Sequence, residues 1–184
     1  MKNDLLDRYR FEAVAETDLT QAQEQAIAAL IAPVYTRVDF EGRSFFQQRH
    51  HLRFMAWHGE VLMAHMALTY RAVRLGETLW DVMGIAEVVT HPDHRRHGLA
   101  SHLLAMAREK ADARGVDALL LFGTETLYGR VGFVRTLNPL VYVDMKGCRT
   151  AQTVETKNHA MMVLTTGNRT WNSTATVDLL GALF

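Results

Sequence analysis

The fold is decided by the stretch THPDHRRHGLASHLLAMA, residues 90–107, in which a basic segment separates an apolar run from a helix. The preceding residues, 79–90, are rich in valine and other apolar types, which is typical of a central strand buried on both faces. Pro92 ends that strand because proline has no amide to donate to a ladder. From Gly98 onward apolar residues recur every three or four positions until Gly115, which predicts an amphipathic helix with a glycine stop.

A second buried strand follows this helix. Residues 116–122 are apolar except for Asp117, so strand, helix and strand together predict a right-handed βαβ unit with parallel strands. A hairpin precedes the unit, because residues 52–58 and 60–74 form two alternating strands that Gly59 connects.

The remaining predicted elements are short. In chain order they are a strand 9–15, a helix 20–30, a helix 43–51, a helix 124–131, a strand 132–145 and a strand 160–165. These elements predict the α/β class, with a mixed central sheet of about six to seven strands flanked by helices. No linker, repeat or low-complexity tract interrupts the chain, so residues 1–184 are interpreted as a single domain.

Composition excludes several classes of protein. The 20 Lys and Arg residues balance 20 Asp and Glu residues, so no global field favours nucleic acid or an anionic membrane. The one cysteine, Cys148, excludes an internal disulfide framework. The chain opens without an apolar segment suited to a signal peptide or a membrane span, and we therefore expect a cytoplasmic protein.

The basic segment between strand and helix predicts an anion site. Unpaired amides and the dipole of a helix N-terminus attract negative charge. Gly98 and Ala100 let a ligand approach the backbone closely, while Arg95 and Arg96 add charge that pairs with phosphate oxygens. A pyrophosphate suits such a site. The dinucleotide pattern G-x-G-x-x-G and the Walker pattern with its lysine are both missing from the sequence.

The spacing Arg95-x-x-Gly98-x-Ala100 resembles the signature loop of the GNAT superfamily of acyl-CoA-dependent N-acyltransferases, and VVTHPDHRRHGLA supplies it here. A second motif, LYGRVGF at residues 127–133, is similar to the family's Y-x-x-x-G-F after strand five. The resemblance extends in element order over roughly residues 10–145. It implies the GNAT fold, acetyl-CoA as co-substrate and an acyltransferase activity.

The resemblance also implies a CoA site made mostly of main chain. Loop amides are expected to hold the pyrophosphate, and the end of the fourth strand is expected to pair with the pantetheine arm like a short extra strand. An amide of Val88 or Val89 is expected to polarise the thioester carbonyl. The implied CoA-binding residues are Val88, Val89, Thr90, Arg95, Arg96, His97, Gly98, Leu99 and Ala100.

Transfer to an amine further needs an acid for the departing thiolate and a path for the amine proton. Tyr128 matches the family's position for that acid, and a phenol suits protonation of a thiolate. Many relatives carry the base at the positions of Gly84 or Ala86, neither of which accepts a proton here. Glu87 needs a bulge to reach the active face, and its alternative role is to pair with a basic neighbour. Water and three other side chains are alternative acceptors for the amine proton: Asp81, His65 and Glu125.

The acceptor is indicated only by short stretches. Three segments resemble the subgroup of aminoglycoside 2'-N-acetyltransferases and nodulation N-acyltransferases: MAHMALTYRAVRLGE, FEGRSFFQQRHHLR and TVDLLGALF. That resemblance implies a primary amine of a small molecule, such as an amino sugar or an aminoglycoside. The residues expected to bind it are Asp39, Glu41 and Asp178.

The spacing His91-x-x-His94-x-x-His97, with His102 on the helix, also suggests a metal site. No cysteine accompanies these histidines and the neighbouring arginines oppose a cation, so we predict no metal and interpret the histidines as bystanders.

Two other functions fit the same motifs. One is acyl transfer from a donor with a longer chain, and the other is a non-catalytic CoA-binding regulatory module, which the missing base favours. For partners we expect the small-molecule amine, no nucleic acid and no membrane. A homodimer is a further expectation, because exchange of C-terminal strands is common in the family.

Overall fold

The computed structural model describes residues 5–37 and 40–184. Its helices are α1 Gln21–Ile31, α2 Leu99–Arg114 and α3 Glu125–Tyr128. Its strands are β1 Arg10–Ala15, β2 Leu52–His58, β3 Val61–Leu75, β4 Thr78–Thr90, β5 Ala118–Phe122, β6 Val134–Arg135, β7 Leu140–Val143, β8 Thr153–Thr156, β9 Met161–Thr165 and β10 Val177–Asp178. Strand pairs of both directions occur, so the predicted mixed α/β class is confirmed.

The chain divides into two compact units. The first comprises the chain up to Leu68 together with Ala86–Ala107, and the second comprises Thr69–Ile85 and Arg108–Phe184. The strands β3 and β4 and the helix α2 contribute to both units. A single domain over the whole chain stays a prediction.

In the first unit, β2 pairs antiparallel with both β1 and β3. The helix α1 begins with a capping box, in which the Thr20 side chain accepts from the Gln23 amide and the Gln23 side chain accepts from the Thr20 amide. Apolar residues of α1, of the strands and of the loop between α1 and β2 form the core of this unit: Ile27, Leu30, Ile31, Phe40, Met55, Trp57, Leu62 and Val89. The predicted hairpin of β2 and β3 is confirmed.

In the second unit the strand order is β6-β9-β5-β4-β3-β10-β7-β8. The strands β4 and β5 run parallel, with Val82–Ile85 opposite Ala118–Leu121, and α2 connects them as predicted. The helix ends at Arg114 because Gly115 takes the left-handed conformation, with φ of 72°. No helix within the described ranges combines the length and the apolarity needed to span a bilayer.

The described residues form ten strands, slightly more than the six to seven expected, because β8 and β10 were not predicted and residues 132–145 form two strands, β6 and β7. Two predictions about elements are wrong. Residues 43–51 form bends and irregular backbone instead of a helix, since the Phe46 amide donates to the Glu87 carboxylate and the Phe46 carbonyl accepts from the Arg43 side chain. The strand expected at 132–145 is divided near Pro139, which has no amide to donate.

Candidate active site

The segment after β4 makes a tight loop before α2. A turn of 3-10 helix, Pro92–His94, follows the strand, and the backbone is left-handed at Arg96 (φ 65°) and Gly98 (φ 86°) before the helix begins. In the part of the chain that is described, the amides of residues 96–98 have no hydrogen-bond acceptor. With the unpaired first-turn amides of α2, they make a run of free donors suited to a phosphate.

Tyr9, which the sequence analysis did not single out, holds this loop. Its hydroxyl lies 2.7 Å from Nδ1 of His94 and 2.8 Å from Nδ1 of His97. A hydroxyl donates one hydrogen bond and accepts others, so one imidazole accepts from Tyr9 and the other donates to it. His94 and His97 are therefore loop anchors and not bystanders.

The histidines of the loop pack against one another. The rings of His91, His94 and His97 follow in edge-on pairs, with centroids 5.8 Å and 5.4 Å apart, and His58 lies 5.6 Å from His94. Burial first, and then the nearby imidazoles, hold the pKa of His94 below its usual value. Among the residues that the structure describes, no three His, Cys, Asp or Glu side chains converge to hold a metal ion.

The predicted CoA-binding residues differ in their exposure. Arg95 and Arg96 are exposed, whereas Val89 and Leu99 are buried. The half-buried members of the set are Val88, Thr90, His97, Gly98 and Ala100. The Val88 carbonyl accepts a long hydrogen bond of 3.4 Å from the Tyr35 hydroxyl. The exposed guanidinium groups are therefore available to an anion, while Val89 and Leu99 anchor the main chain in the core.

Glu87 interrupts the regular course of β4. Its φ of 51° is left-handed, which is the local irregularity that the sequence analysis required to turn this side chain. The side chain is buried; its carboxylate accepts from Nη1 of Arg53 at 2.8 Å and from the Phe46 amide at 3.1 Å, and Nε2 of His50 lies 3.2 Å away. Burial raises the pKa of Glu87, but His50 and Arg53 outweigh it, so the pKa lies below its usual value.

An ionised carboxylate that accepts from several donors is a weak proton acceptor. Glu87 thus has the partner that its alternative role required, the guanidinium of Arg53. A base role for Glu87 stays a prediction. Arg53 and its surroundings were missed by the sequence analysis, although an arginine within an otherwise apolar strand indicates a buried ion pair.

Tyr128, the predicted acid, ends α3 in the second unit. The side chain is buried and its ring meets Phe133 edge-on, with centroids 6.1 Å apart. A Cβ added at Gly123 would overlap the Tyr128 ring, so glycine is needed there for the tyrosine to pack. Burial raises the pKa of Tyr128, which keeps the phenol protonated as a general acid requires.

The predicted acceptor residues lie in different surroundings. Asp39 lies outside the described residues. Glu41 is exposed and lies 3.4 Å from Nη1 of Arg43 in the first unit. Asp178, in β10 of the second unit, accepts from the Leu180 amide at 2.8 Å. Two of the reserve bases, Asp81 and Glu125, are exposed, whereas His65 is buried.

Gly84, one of the two positions at which the family resemblance implied a base, lies against an aromatic ring. A Cβ added at Gly84 would overlap the ring of Phe184, which therefore lies against the bare backbone of β4. The guanidinium of Arg71 lies 4.2 Å from the centroid of the same ring, and its Nη2 donates to the Ala182 carbonyl at 2.6 Å. In the second unit, the space beside Gly84 is therefore occupied by the Phe184 ring and not by a carboxylate.

Solved structures share this fold. The chain is similar to the GNAT family N-acetyltransferase YhbS from Escherichia coli, solved with CoA, at 18% identity and a TM-score of 0.62 over 94% of this chain and 89% of that one. It is similar to a GNAT family acetyltransferase from Brucella melitensis, solved with acetyl-CoA, at 14% identity and a TM-score of 0.54 over 91% and 94%.

A probable N-acyltransferase from Enterococcus faecalis V583 is also similar, at 15% identity and a TM-score of 0.59. The match covers 70% of this chain but only 32% of that protein, so the chain spans about a third of its length. A search of curated proteins found no match.

The family itself follows from the sequence match. Residues 15–135 match the family described as Acetyltransferase (GNAT) domain. The chain therefore belongs to the GNAT acetyltransferases, and the predicted family and fold are confirmed. It is an acyltransferase that moves an acyl group from CoA to an acceptor.

Proposed function

We propose that the chain transfers an acetyl group from acetyl-CoA to a primary amine of a small molecule by direct attack of the amine on the thioester. The loop at the start of α2 is the observation that carries this proposal. The amides of residues 96–98 have no acceptor among residues 5–37 and 40–184, and Arg95 and Arg96 are exposed. Both features suit the pyrophosphate of CoA. The structures of YhbS and the Brucella melitensis protein, which hold CoA and acetyl-CoA, support that ligand.

The chemistry requires one acid and one proton acceptor. The neutral amine attacks the carbonyl carbon, the C–N bond forms, and the C–S bond breaks as the thiolate leaves. In the proposal the Tyr128 hydroxyl protonates that thiolate, and an amide of Val88 or Val89 polarises the carbonyl. The proton of the amine passes to water, because the Glu87 carboxylate is already held by Arg53 and the Phe46 amide.

The acceptor class follows from the subgroup resemblance alone. An amino sugar or an aminoglycoside is proposed as the amine, with Glu41 and Asp178 as candidate ligands for its hydroxyl and ammonium groups. Asp39 is retained in that set on sequence grounds.

A thiol-release assay tests the proposal. Acetyl-CoA, and in parallel a long-chain acyl-CoA, is mixed with a panel of primary amines that includes amino sugars, aminoglycosides and amino acids. We expect release with acetyl-CoA and an amino sugar or aminoglycoside. Faster release with the long-chain donor would instead favour the longer-acyl alternative. Tight binding of CoA with no release for any amine would favour a regulatory module.

The tyrosine is tested by Tyr128→Phe, which keeps the ring and removes the proton. We expect turnover to fall by about 10²–10⁴-fold with unchanged CoA affinity by calorimetry. Phe133→Leu is the matched control, because it alters the packing of the Tyr128 ring and leaves the phenol in place. Equal turnover in wild type and Tyr128→Phe would remove Tyr128 from the mechanism.

A further inference from the structure

A fully buried arginine lies at the centre of a charge cluster in the first unit. The Arg53 side chain has no exposed surface, and it donates to Glu16 through Nε at 2.6 Å and Nη2 at 3.2 Å. Its third nitrogen, Nη1, donates to the Glu87 carboxylate at 2.8 Å and to the Ser44 carbonyl at 3.0 Å. A buried charge is tolerated only with such partners, so the cluster fixes the Glu87 carboxylate in one place.

His65 fixes the other end of the same residue. Its Nδ1 lies 3.0 Å from the Glu87 carbonyl oxygen, which can only accept, so Nδ1 carries the proton. Its Nε2 faces Nη1 of Arg53 at 3.3 Å and is therefore the unprotonated nitrogen that accepts. The register of β2 and β3 places Met55 opposite His65 and Arg53 opposite Ala67, so Arg53 and His65 are diagonal neighbours.

Glu87 is thus held by both its carboxylate and its carbonyl while its backbone is left-handed. That conformation is unfavourable for a residue with a Cβ, and it persists only where the surroundings impose it. It changes the direction of the peptide groups that follow, which are those of Val88, Val89 and Thr90. On the proposed function, the amide of Val88 or Val89 polarises the thioester carbonyl.

We propose that Arg53 and His65 are positioning residues, which clamp Glu87 in its left-handed conformation and thereby aim the amide of Val88 or Val89 at the acyl carbonyl. Glu87 acts through its backbone, and its carboxylate serves only to bind Arg53. This inference rests on the proposed function, since it assigns a purpose to the amides only where acyl-CoA binds.

Two substitutions of Glu87 separate a backbone role from a base role. Glu87→Gly and Glu87→Ala both remove the carboxylate, but glycine adopts a left-handed φ freely and alanine does not. The clamp predicts roughly tenfold more turnover for Glu87→Gly than for Glu87→Ala, the fold-change expected from the cost of a left-handed alanine. Arg53 keeps Glu16 and the Ser44 carbonyl in both variants, so both leave its charge paired.

Two substitutions of His65 test its hydrogen bond to the Glu87 carbonyl. His65→Phe keeps a ring of similar size and removes the donor, whereas His65→Asn offers Nδ2 in the place of Nδ1. The clamp predicts a loss of about tenfold in turnover for His65→Phe and recovery in His65→Asn. Glu16→Gln is the control, because its amide oxygen still accepts from Arg53 while one charge of the cluster is removed and the contacts of Glu87 are kept.

The spectroscopic measurement is the ¹³C shift of acetyl-CoA labelled at its carbonyl carbon and bound to each variant, since polarisation by an amide moves that resonance downfield. Turnover is followed with the amine that gives the fastest thiol release. The clamp predicts a smaller downfield shift in Glu87→Ala and His65→Phe, and a near-native one in Glu87→Gly, His65→Asn and Glu16→Gln.

The outcomes are distinct. A native shift with equal, complete loss of turnover in Glu87→Gly and Glu87→Ala would overturn the clamp and identify Glu87 as the base. Native shift and turnover in His65→Phe would also overturn the clamp. Failure of the wild-type chain to bind acetyl-CoA would refute the proposed function itself, which the shifts of the variants do not test.

Discussion

The buried imidazole of His65 makes the stability of the protein depend on pH. Burial, and then the charge of Arg53, lower its pKa from 6.5 to about 3, so the folded state keeps His65 neutral under conditions where the unfolded state protonates it. As the pH falls below 6.5, His65 becomes protonated in the unfolded state but stays neutral in the folded state, so the free energy of unfolding decreases. Little stability is lost between pH 7.5 and pH 6.5, and from pH 6.5 to pH 5 the coupling removes about 2 kcal/mol, at about 1.36 kcal/mol per pH unit.

Chemical denaturation at pH 7.5 and pH 5 measures the effect. Carboxylates and the other histidines titrate as well, so the wild type is compared with His65→Asn, which cannot take up a proton at this position. We expect the wild type to lose about 2 kcal/mol more than the variant over this range. Equal losses in both proteins would show that folding does not lower the pKa of His65 and that the folded state takes up the proton as the unfolded state does.

The remaining predictions concern one residue each. Because burial raises the pKa of Tyr128, the alkaline limb of the kcat profile is expected above the ordinary tyrosine value of about 10, and a limb below it would contradict the acid role. Gly98→Ala is expected to weaken CoA binding about tenfold in calorimetry, because a Cβ strains the left-handed backbone at this residue. Gly115→Ala is the control, since it introduces similar strain at the other end of α2 and is expected to keep the CoA affinity. Gly84→Ala is expected to displace the Phe184 ring and to lower the free energy of unfolding, measured by denaturation, by about 1–3 kcal/mol. The loss should be smaller when Phe184 is also replaced by alanine, and additive losses would refute the contact.

The parts of the fold that sequence predicted are those specified by local pattern. The β2–β3 hairpin follows from alternation around a glycine turn, and α2 follows from apolar spacing between Gly98 and Gly115. The short pairs β6 and β10 depend on neighbours distant in the chain, and two residues cannot show a period. Residues 43–51 failed as a helix because the Phe46 amide donates to the distant Glu87 carboxylate and the Phe46 carbonyl accepts from the Arg43 side chain.

In the candidate site too, the features within one segment were predictable from sequence and the contacts between distant segments were not. The loop spacing from Arg95 to Ala100 is contiguous and was visible in the sequence, and so was the need for a bulge at Glu87. The partners of that bulge were not visible, because Arg53 and His65 lie 34 and 22 residues away and are brought to it only by strand register. The same applies to Tyr9, whose partners in the loop lie 85 and 88 residues further along the chain.

The Tyr9 contact has a consequence for the order of folding. A contact that closes 85 residues of chain forms late, since the entropy of closing so long a loop must be overcome before the contact stabilises anything. The segment between His94 and His97 therefore acquires its final shape only when β1 has docked. In a refolding experiment, the recovery of CoA affinity should lag behind the recovery of helical circular dichroism, and ligand binding becomes a reporter for the last step in assembly of the first unit.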